Sequence, residues 1–321
     1  MKQILINLNR IKAALLSGKS AAYWSMFYMG IGPFTRIIDR LFLKPLVKKS
    51  NEIPPVFIIV SNQRSGSTFT FQLLSRLIPC VYYSNLHSLI PYYASTKLHN
   101  SNGFGKNLKG FNNFYGHTAK LNDTNEGNGS LSHLFIGNPN KSELRERFLE
   151  ITSFMKGSSK MPLVFKNVTI YKEIERLQEA IPEIKFIYLK RDANQVVQSM
   201  LRAYRELGYF NAVPDSLMDI EDSISPLAFI TRQFVETEKV ILDSKQKVNP
   251  ENWIEWSYED LCNTCEDLLS DLLELHTGNN RLALRMDKLI SPLKASRTRK
   301  VSEKEENLIN EELQKLGYEG A

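Results

Sequence analysis

The chain has 321 residues, 42% of them apolar, with a formal net charge of +6 and a sequence pI near 9.0. That is enough apolar material for one large packed domain with extensions, and the basic balance suits an anionic cofactor, an acidic acceptor or a membrane surface. Three cysteines and no secretory signal pattern speak against a disulfide framework and for a cytoplasmic setting, and the absence of a recognised nucleic-acid-binding motif sets nucleic acid aside as a partner.

Residues 1–50 read as a basic helical extension. Ile4, Leu5, Leu8, Ile11 and Leu15 share one helical face, while Lys2, Arg10, Lys12 and Lys19 supply charge. The aromatic stretch from Ala21 to Phe34 is too short to cross a bilayer, and Gly30, Gly32 and Pro33 interrupt it. It is expected to pack as an arm on the core. The alternative is a dimer contact or membrane-surface contact through residues 1–43, which would make the protein peripheral to the membrane.

Residues 51–321 read as one domain. Apolar runs place strands at 56–60, 80–84, 163–167, 185–190 and 253–257. Helical periodicity places helices near 67–78, 142–156, 169–181, 193–206, 226–245, 259–275 and 302–316. This alternation predicts an α/β fold, a central parallel sheet of about five strands flanked by helices and joined by right-handed crossovers.

Residues 99–130 break the pattern: they are dense in Asn and Gly, yet carry Phe104, Phe111, Phe114 and Tyr115. A long insertion with aromatics reads as an ordered acceptor-binding lid. Tyr82, Tyr83, Tyr92 and Tyr93 either line the same pocket or pack in the core. Residues 280–321 form a tail with a basic stretch, Lys294 to Lys300, and then a charged helix. Cys262-Asn263-Thr264-Cys265 lacks a second Cys pair, with only His276 nearby, so it reads as structural and no metal is expected.

Two segments carry the chemistry. Phe57-Ile58-Ile59-Val60 runs into Ser61-Asn62-Gln63-Arg64-Ser65-Gly66-Ser67-Thr68, and an apolar-periodic segment follows. Strand, tight loop and helix N-terminus in that order make an anion cradle, because free N–H groups and the positive end of the helix dipole meet there. Gly66 permits close backbone approach, Ser65, Ser67 and Thr68 offer hydroxyls, and Arg64 adds charge. A Walker A loop would need Gly at 61 and Lys at 67, where this chain has Ser61 and Ser67. The second segment is the strand Lys185–Lys190, ending at Arg191-Asp192 before another helix. Asp192 with Gln195 fits a capping box, whereas Arg191 and Ser199 are unexplained by capping and can converge on an anion above the sheet edge.

With these residues in place the chain resembles the sulfotransferases that use 3′-phosphoadenosine 5′-phosphosulfate (PAPS). Arg64-Ser65-Gly66-Ser67-Thr68 is similar to their 5′-phosphosulfate loop, and Arg191 with Ser199 is similar to their 3′-phosphate motif at the family spacing. Phe165-Lys166-Asn167 resembles the strand end whose Lys faces the transferred group, and Trp256-Ser257-Tyr258-Glu259-Asp260-Leu261 resembles the stretch whose Tyr lies near the adenine. The resemblance spans roughly residues 54–275. It implies PAPS as co-substrate and in-line sulfuryl transfer to a hydroxyl or amine of a small-molecule, carbohydrate or lipid acceptor, with no metal. Arg64 and Lys166 then serve catalysis, and Arg297 and Arg299 of the basic tail are the candidates to close over the 3′-phosphate, the stretch otherwise reading as a solvated charge run.

The general base departs from the better-known branches, since Val168 stands where cytosolic members carry a His and Tyr82 to Ser88 holds no acid. Tyr115-Gly116-His117-Thr118 followed by Asn125-Glu126-Gly127 is similar to a bacterial pattern that retains a Glu. Glu126, flanked by flexible residues, is ranked first as base, His87 second and His117 third. A P-loop kinase-like phosphotransferase is the rival that the missing Walker Lys opposes. A non-catalytic nucleotide-binding protein keeping the fold is the rival that Lys166 opposes.

Overall fold

A computed structural model describes residues 11–12, 15–42, 44–46, 52–91, 115–127, 131, 133–156, 161–220, 223–277, 284–286, 293 and 301–318. Its centre is a five-stranded sheet in the order β2-β3-β1-β4-β5, built from Val56–Val60 (β1), Val81–Tyr82 (β2), Leu163–Lys166 (β3), Ile184–Lys190 (β4) and Trp253–Ser257 (β5). Every pairing is parallel. The α/β expectation therefore holds, and the reason is visible in the strands: β1 and β3 are buried along their whole length, as a sheet covered on both faces requires.

Each face has its own core. Ile58, Phe165, Phe186 and Tyr188 pack against Leu144 and Phe148 of Lys141–Lys156 and Ile174 and Leu177 of Ile174–Ala180. On the other face, Ile59, Val164, Ile187 and Leu189 meet Leu73 and Leu77 of Ser67–Leu77, Leu261 of Tyr258–Asn263, and Leu269 of Cys265–Thr277. A third cluster joins Ala193–Leu207, Pro226–Lys245 and the C-terminal Glu303–Lys315 through Val197, Phe234 and Leu313.

In chain order the helices are α1 (Ser20–Phe42), α2 (Ser67–Leu77), α3 (Asn85–Leu89), α4 (Lys141–Lys156), α5 (Ile174–Ala180), α6 (Ala193–Leu207), α7 (Pro226–Lys245), α8 (Tyr258–Asn263), α9 (Cys265–Thr277) and α10 (Glu303–Lys315). Three depart from the sequence expectation. α1 runs straight through Gly30, Gly32 and Pro33. Pro33 forfeits one backbone bond, and the helix is held from outside by Tyr28 Oη donating to Ala119 O at 2.7 Å and Thr35 Oγ1 donating to Leu89 O at 2.9 Å. The helix expected at 259–275 is two, because Thr264 leaves helical geometry with its N–H and hydroxyl on Asp260 O at 2.7 and 3.1 Å. α3 was not expected at all: it is five residues long, capped by Ser84 with His87 bonding back.

On β5, Glu255 accepts from Lys245 Nζ and pairs with Lys190 Nζ, both at 2.5 Å, and accepts from Trp253 Nε1 at 3.1 Å. Among the described residues no helix is long and apolar enough to cross a membrane.

The fold's dependence on its central strands is directly measurable. Phe186 is fully buried in β4, so Phe186→Ala should cost about 3–5 kcal/mol in urea unfolding. Leu308→Ala on α10, where the side chain is 41% exposed, should stay within about 0.5 kcal/mol.

Candidate active site

The register of the sheet creates the site. Ile59 of β1 sits beside Lys166 at the end of β3, and Val60 beside Tyr188 of β4. The loop after β1, the Lys at the end of β3 and the Arg after β4 therefore emerge together at the carboxyl edge, where the strand order reverses and open α/β sheets bind ligands.

The loop after β1 bends sharply. Arg64 has φ 64 and Gly66 φ 98, both left-handed, and a non-glycine residue held there stores about 1–2 kcal/mol of strain. Gly66 N-caps α2 with no side-chain bond, so the first-turn N–H groups face the bend. Only glycine fits: a Cβ there would lie 2.5 Å from the Tyr258 ring. Below the loop, Asn62 Nδ2 donates to Glu238 Oε2 at 2.6 Å, and Tyr188 Oη donates to the other oxygen of the same carboxylate. Burial pushes the Glu238 carboxyl above its usual range.

Two cations of the sequence reading meet on this loop. Arg64 Nε donates to Ser199 Oγ at 3.2 Å, and Arg191 Nη1 donates to Arg64 O at 3.4 Å. The Arg191 guanidinium lies 4.3 Å from the centre of the Tyr258 ring, which is itself edge-on to Phe69. Burial, above all, lowers the Arg64 pKa from its ordinary value, and the Arg191 charge adds to the lowering. Arg64, Arg191, Ser199, Gly66 and Tyr258 thus form one constellation, with buried Ser65 and Ser67 in the loop beside it.

The second half of the site is an ion pair. Lys166 is 3% exposed, and its Nζ pairs with Glu126 Oε1 and donates to Thr68 Oγ1 at 3.3 Å. Thr68 Oγ1 also donates to Glu126 Oε1 at 3.4 Å. Burial lowers the Lys166 pKa, Glu126 opposes that shift, and Arg64 reinforces it. Glu126 lies in the segment expected as an ordered lid, and although its flanking residues were expected to be flexible, residues 115–127 are pinned. Asn85 Nδ2 donates to Thr118 Oγ1 at 2.9 Å and Lys120 O at 2.8 Å, and Asn125 N donates to Tyr83 O at 2.9 Å. Gly116, at φ 89, makes room for the carboxylate, since a Cβ there would run into Glu126 Oε1.

The other sequence candidates stand apart. His87 is buried, with Nδ1 accepting from Ser84 N at 3.2 Å and contacting Ser84 Oγ at 2.8 Å, so it caps α3. His117 is exposed on the 115–127 loop. Arg297 and Arg299, Tyr92 and Tyr93, and Phe104, Phe111 and Phe114 lie outside the described residues. Cys262 and Cys265 are buried free thiols, the latter pushed up to about 11 by burial. Among the described residues no group of His, Cys, Asp or Glu is arranged to hold a metal.

The role of Asn85 and the contacts of Tyr115, a residue expected only as a lid aromatic, escaped the sequence reading. Asn85 pins the Glu126 loop, and Tyr115 lies over Arg64 at 5.1 Å while its hydroxyl donates to Glu206 of α6. Asn85 left a signal in its place next to the Ser84 cap, whereas the reach of Tyr115 to Glu206 depends on contacts 91 residues apart in sequence.

Among solved structures, sulfotransferase STF1 from Mycobacterium tuberculosis H37Rv aligns over 98% of this chain and 93% of its own, at 12% identity and a TM-score of 0.57. Sulfotransferase STF9 from Mycobacterium avium aligns over 82% of this chain and 69% of its own, at 13% identity and a TM-score of 0.43. The sulfotransferase domain from the curacin biosynthetic pathway aligns over 84% of this chain and 99% of its own, at 16% identity and a TM-score of 0.42. A search among curated proteins finds no match. A family model described as the sulfotransferase family matches residues 55–276, which takes in every residue of the constellation and more than two-thirds of the chain. The chain belongs to the sulfotransferase family.

Proposed function

We propose that this protein transfers a sulfuryl group from PAPS to a hydroxyl or amine of a small-molecule, carbohydrate or lipid acceptor. The observation that carries the reading is the pairing, at one sheet edge, of a two-arginine constellation on a glycine-capped helix start with an ion pair of buried Lys166 and partly buried Glu126, bonded to Thr68 in the first turn of that helix. The donor set fits a doubly phosphorylated nucleotide. Arg191 and Ser199 would hold the 3′-phosphate, while Arg64, Ser65, Ser67, Thr68 and the first-turn N–H groups would hold the 5′ side. Tyr258, wedged between Gly66 and Arg191, buttresses both and stands where the resemblance puts an adenine neighbour. Residues 51–321 would form the catalytic domain, with 1–50 as its appendage and Arg299 of the 280–321 tail as a further 3′-phosphate ligand.

When bound, PAPS supplies an activated sulfuryl group on a phosphate oxygen that leaves as a good anion. The protein's task is to position and to stabilise charge. Lys166 meets the negative charge that grows on the leaving oxygen. With Lys166 engaged by that oxygen, the Glu126 carboxylate would be free to take the acceptor proton. Thr68, bonded to both, keeps the two groups in register through the exchange. His87 is committed to capping α3 and His117 is exposed, so Glu126 carries the base assignment.

Three outcomes test the reading. The desulfated product, 3′-phosphoadenosine 5′-phosphate, should stabilise the fold without magnesium, by about 3 kcal/mol at a hundredfold excess over its dissociation constant. AMP, with nothing for Arg191 and Ser199 to hold, should give a much smaller thermal shift; equal shifts would end the PAPS assignment. Arg191→Ala should weaken bisphosphate binding by about 1.5–3 kcal/mol, whereas Lys166→Ala should lower kcat by roughly a hundredfold or more with little change in that affinity. Calorimetry beside single-turnover rates separates the two, and an active Lys166→Ala enzyme would contradict the role given to that lysine. Glu126→Gln should lower turnover by about a hundredfold or more while binding the bisphosphate at least as tightly as the parent, because Lys166 is no longer engaged by a carboxylate. Retained turnover in that variant would return the base to His87 or His117.

A further inference from the structure

Helix α1 has two apolar faces, and the described residues cover only one. Ala21, Ala22, Tyr28 and Asp39 are buried against the body. Tyr28 Oη bonds Ala119 O, Thr35 Oγ1 bonds Leu89 O, and Arg36 Nε donates to Ser88 O at 2.8 Å, so the orientation of the helix is fixed from that side. On the opposite side, Tyr23, Phe27, Phe34, Ile38 and Leu41 follow the helical repeat and form one stripe about 27 Å long. These five side chains are between 42% and 71% exposed.

The charge that accompanies the stripe tells what it meets. Residues 1–50 hold nine Lys and Arg and a single acid, Asp39, a net of +8, whereas the whole chain totals +6, so everything after residue 50 sums to −2. The one acid is buried, and Lys12, Lys19, Arg36 and Arg40 are exposed along the same stretch. An apolar stripe on an arm of net +8, with Arg40 exposed on the same helix and Trp24 exposed beside Tyr23, matches the interface of a bilayer bearing anionic lipid headgroups. Two copies of the chain meeting through this face would set one +8 arm against another, which disfavours a second copy as the occupant.

We infer that α1 docks the protein on an anionic membrane surface, lying in the plane of the headgroups with its outer stripe buried among the acyl chains. The inference is independent of the donor and base assignments. Because α1 is bonded to α3 and to the 115–127 loop, docking also sets the Glu126 side of the site close to that surface.

The test is flotation of the full chain with vesicles of phosphatidylcholine alone and of phosphatidylcholine with phosphatidylglycerol. The parent protein should bind the anionic vesicles at least tenfold more tightly and lose that binding as salt is raised. Phe34→Ser with Leu41→Ser should weaken anionic-vesicle binding by about tenfold or more, and so should Arg40→Glu alone. Both variants should keep the parent's melting temperature, since the altered side chains are exposed, and should respond to the bisphosphate as the parent does. A parent that ignores both vesicles, or binds neutral and anionic ones equally, overturns the inference. So does a concentration-dependent dimer that the Phe34→Ser, Leu41→Ser variant abolishes. Failure of the bisphosphate to shift the melting temperature while vesicle binding persists would count against the proposed function and leave the docking inference standing.

Discussion

An ammonium group cannot be taken out of water at the end of a buried strand unless an anion meets it there. Lys166 imposes that constraint, and much of the site's surroundings can be read as its consequence. The β3 register brings Lys166 beside the loop after β1, and Glu126 is carried to it from a segment 40 residues earlier. Holding Glu126 in place takes the Asn85 bonds, the Ser84–Thr124 bridge and the room left by Gly116. Without the loop that surrounds Glu126, the lysine would be a buried charge without compensation, so local order there is part of the electrostatics.

The arginine side obeys a different rule. Arg64 and Arg191 carry like charges on one loop, and it is Arg64 that bears the cost, first from burial and then from the Arg191 charge. Ser199, the Arg64 carbonyl and the faces of Tyr115 and Tyr258 hold them, and the nearby Glu126 and Glu206 carboxylates favour the Arg64 charge. Repulsion held in place by packing is the condition in which a multivalent anion gains most from arriving. The left-handed Arg64 belongs to the same logic, since strain at a loop of this kind is retained where the surrounding structure fixes it.

How far the amino-acid order revealed this depends on how local each feature is. β1 and β5 fall at the residues expected, because unbroken apolar runs ending in small polar residues have few other solutions. Asp192 caps α6 as its spacing to Gln195 implied. Thr264 hid the break between α8 and α9, because periodicity continues across it while the hydroxyl bond to Asp260 O does not appear in any pattern. α3 is too short to show a period, which concealed the capping work of His87 and left it looking like a candidate base. Arg64 gave no sign of φ 64, as arginine is ordinarily right-handed. Glu126 was visible as a carboxylate in a loop, but its burial against Lys166 arises only when two remote segments close on each other.

The sheet's outer strand shows how such an assembly survives outside its own fold. Among the described strands β5 has a neighbour on one side only, and an open parallel edge is where another chain can add itself. Glu255 sits in the middle of that strand, clasped by Lys190 and Lys245. Partial burial works against its ionisation, yet the bonds from the two lysines and Trp253 outweigh it and hold the carboxyl at about 2. A carboxyl lowered this way adds stability above its ordinary value of 4.5, and that stability drains only as pH falls toward 2. The carboxylate therefore stays charged under mildly acidic conditions, and the clasp that ties β5 to β4 and α7 persists with it.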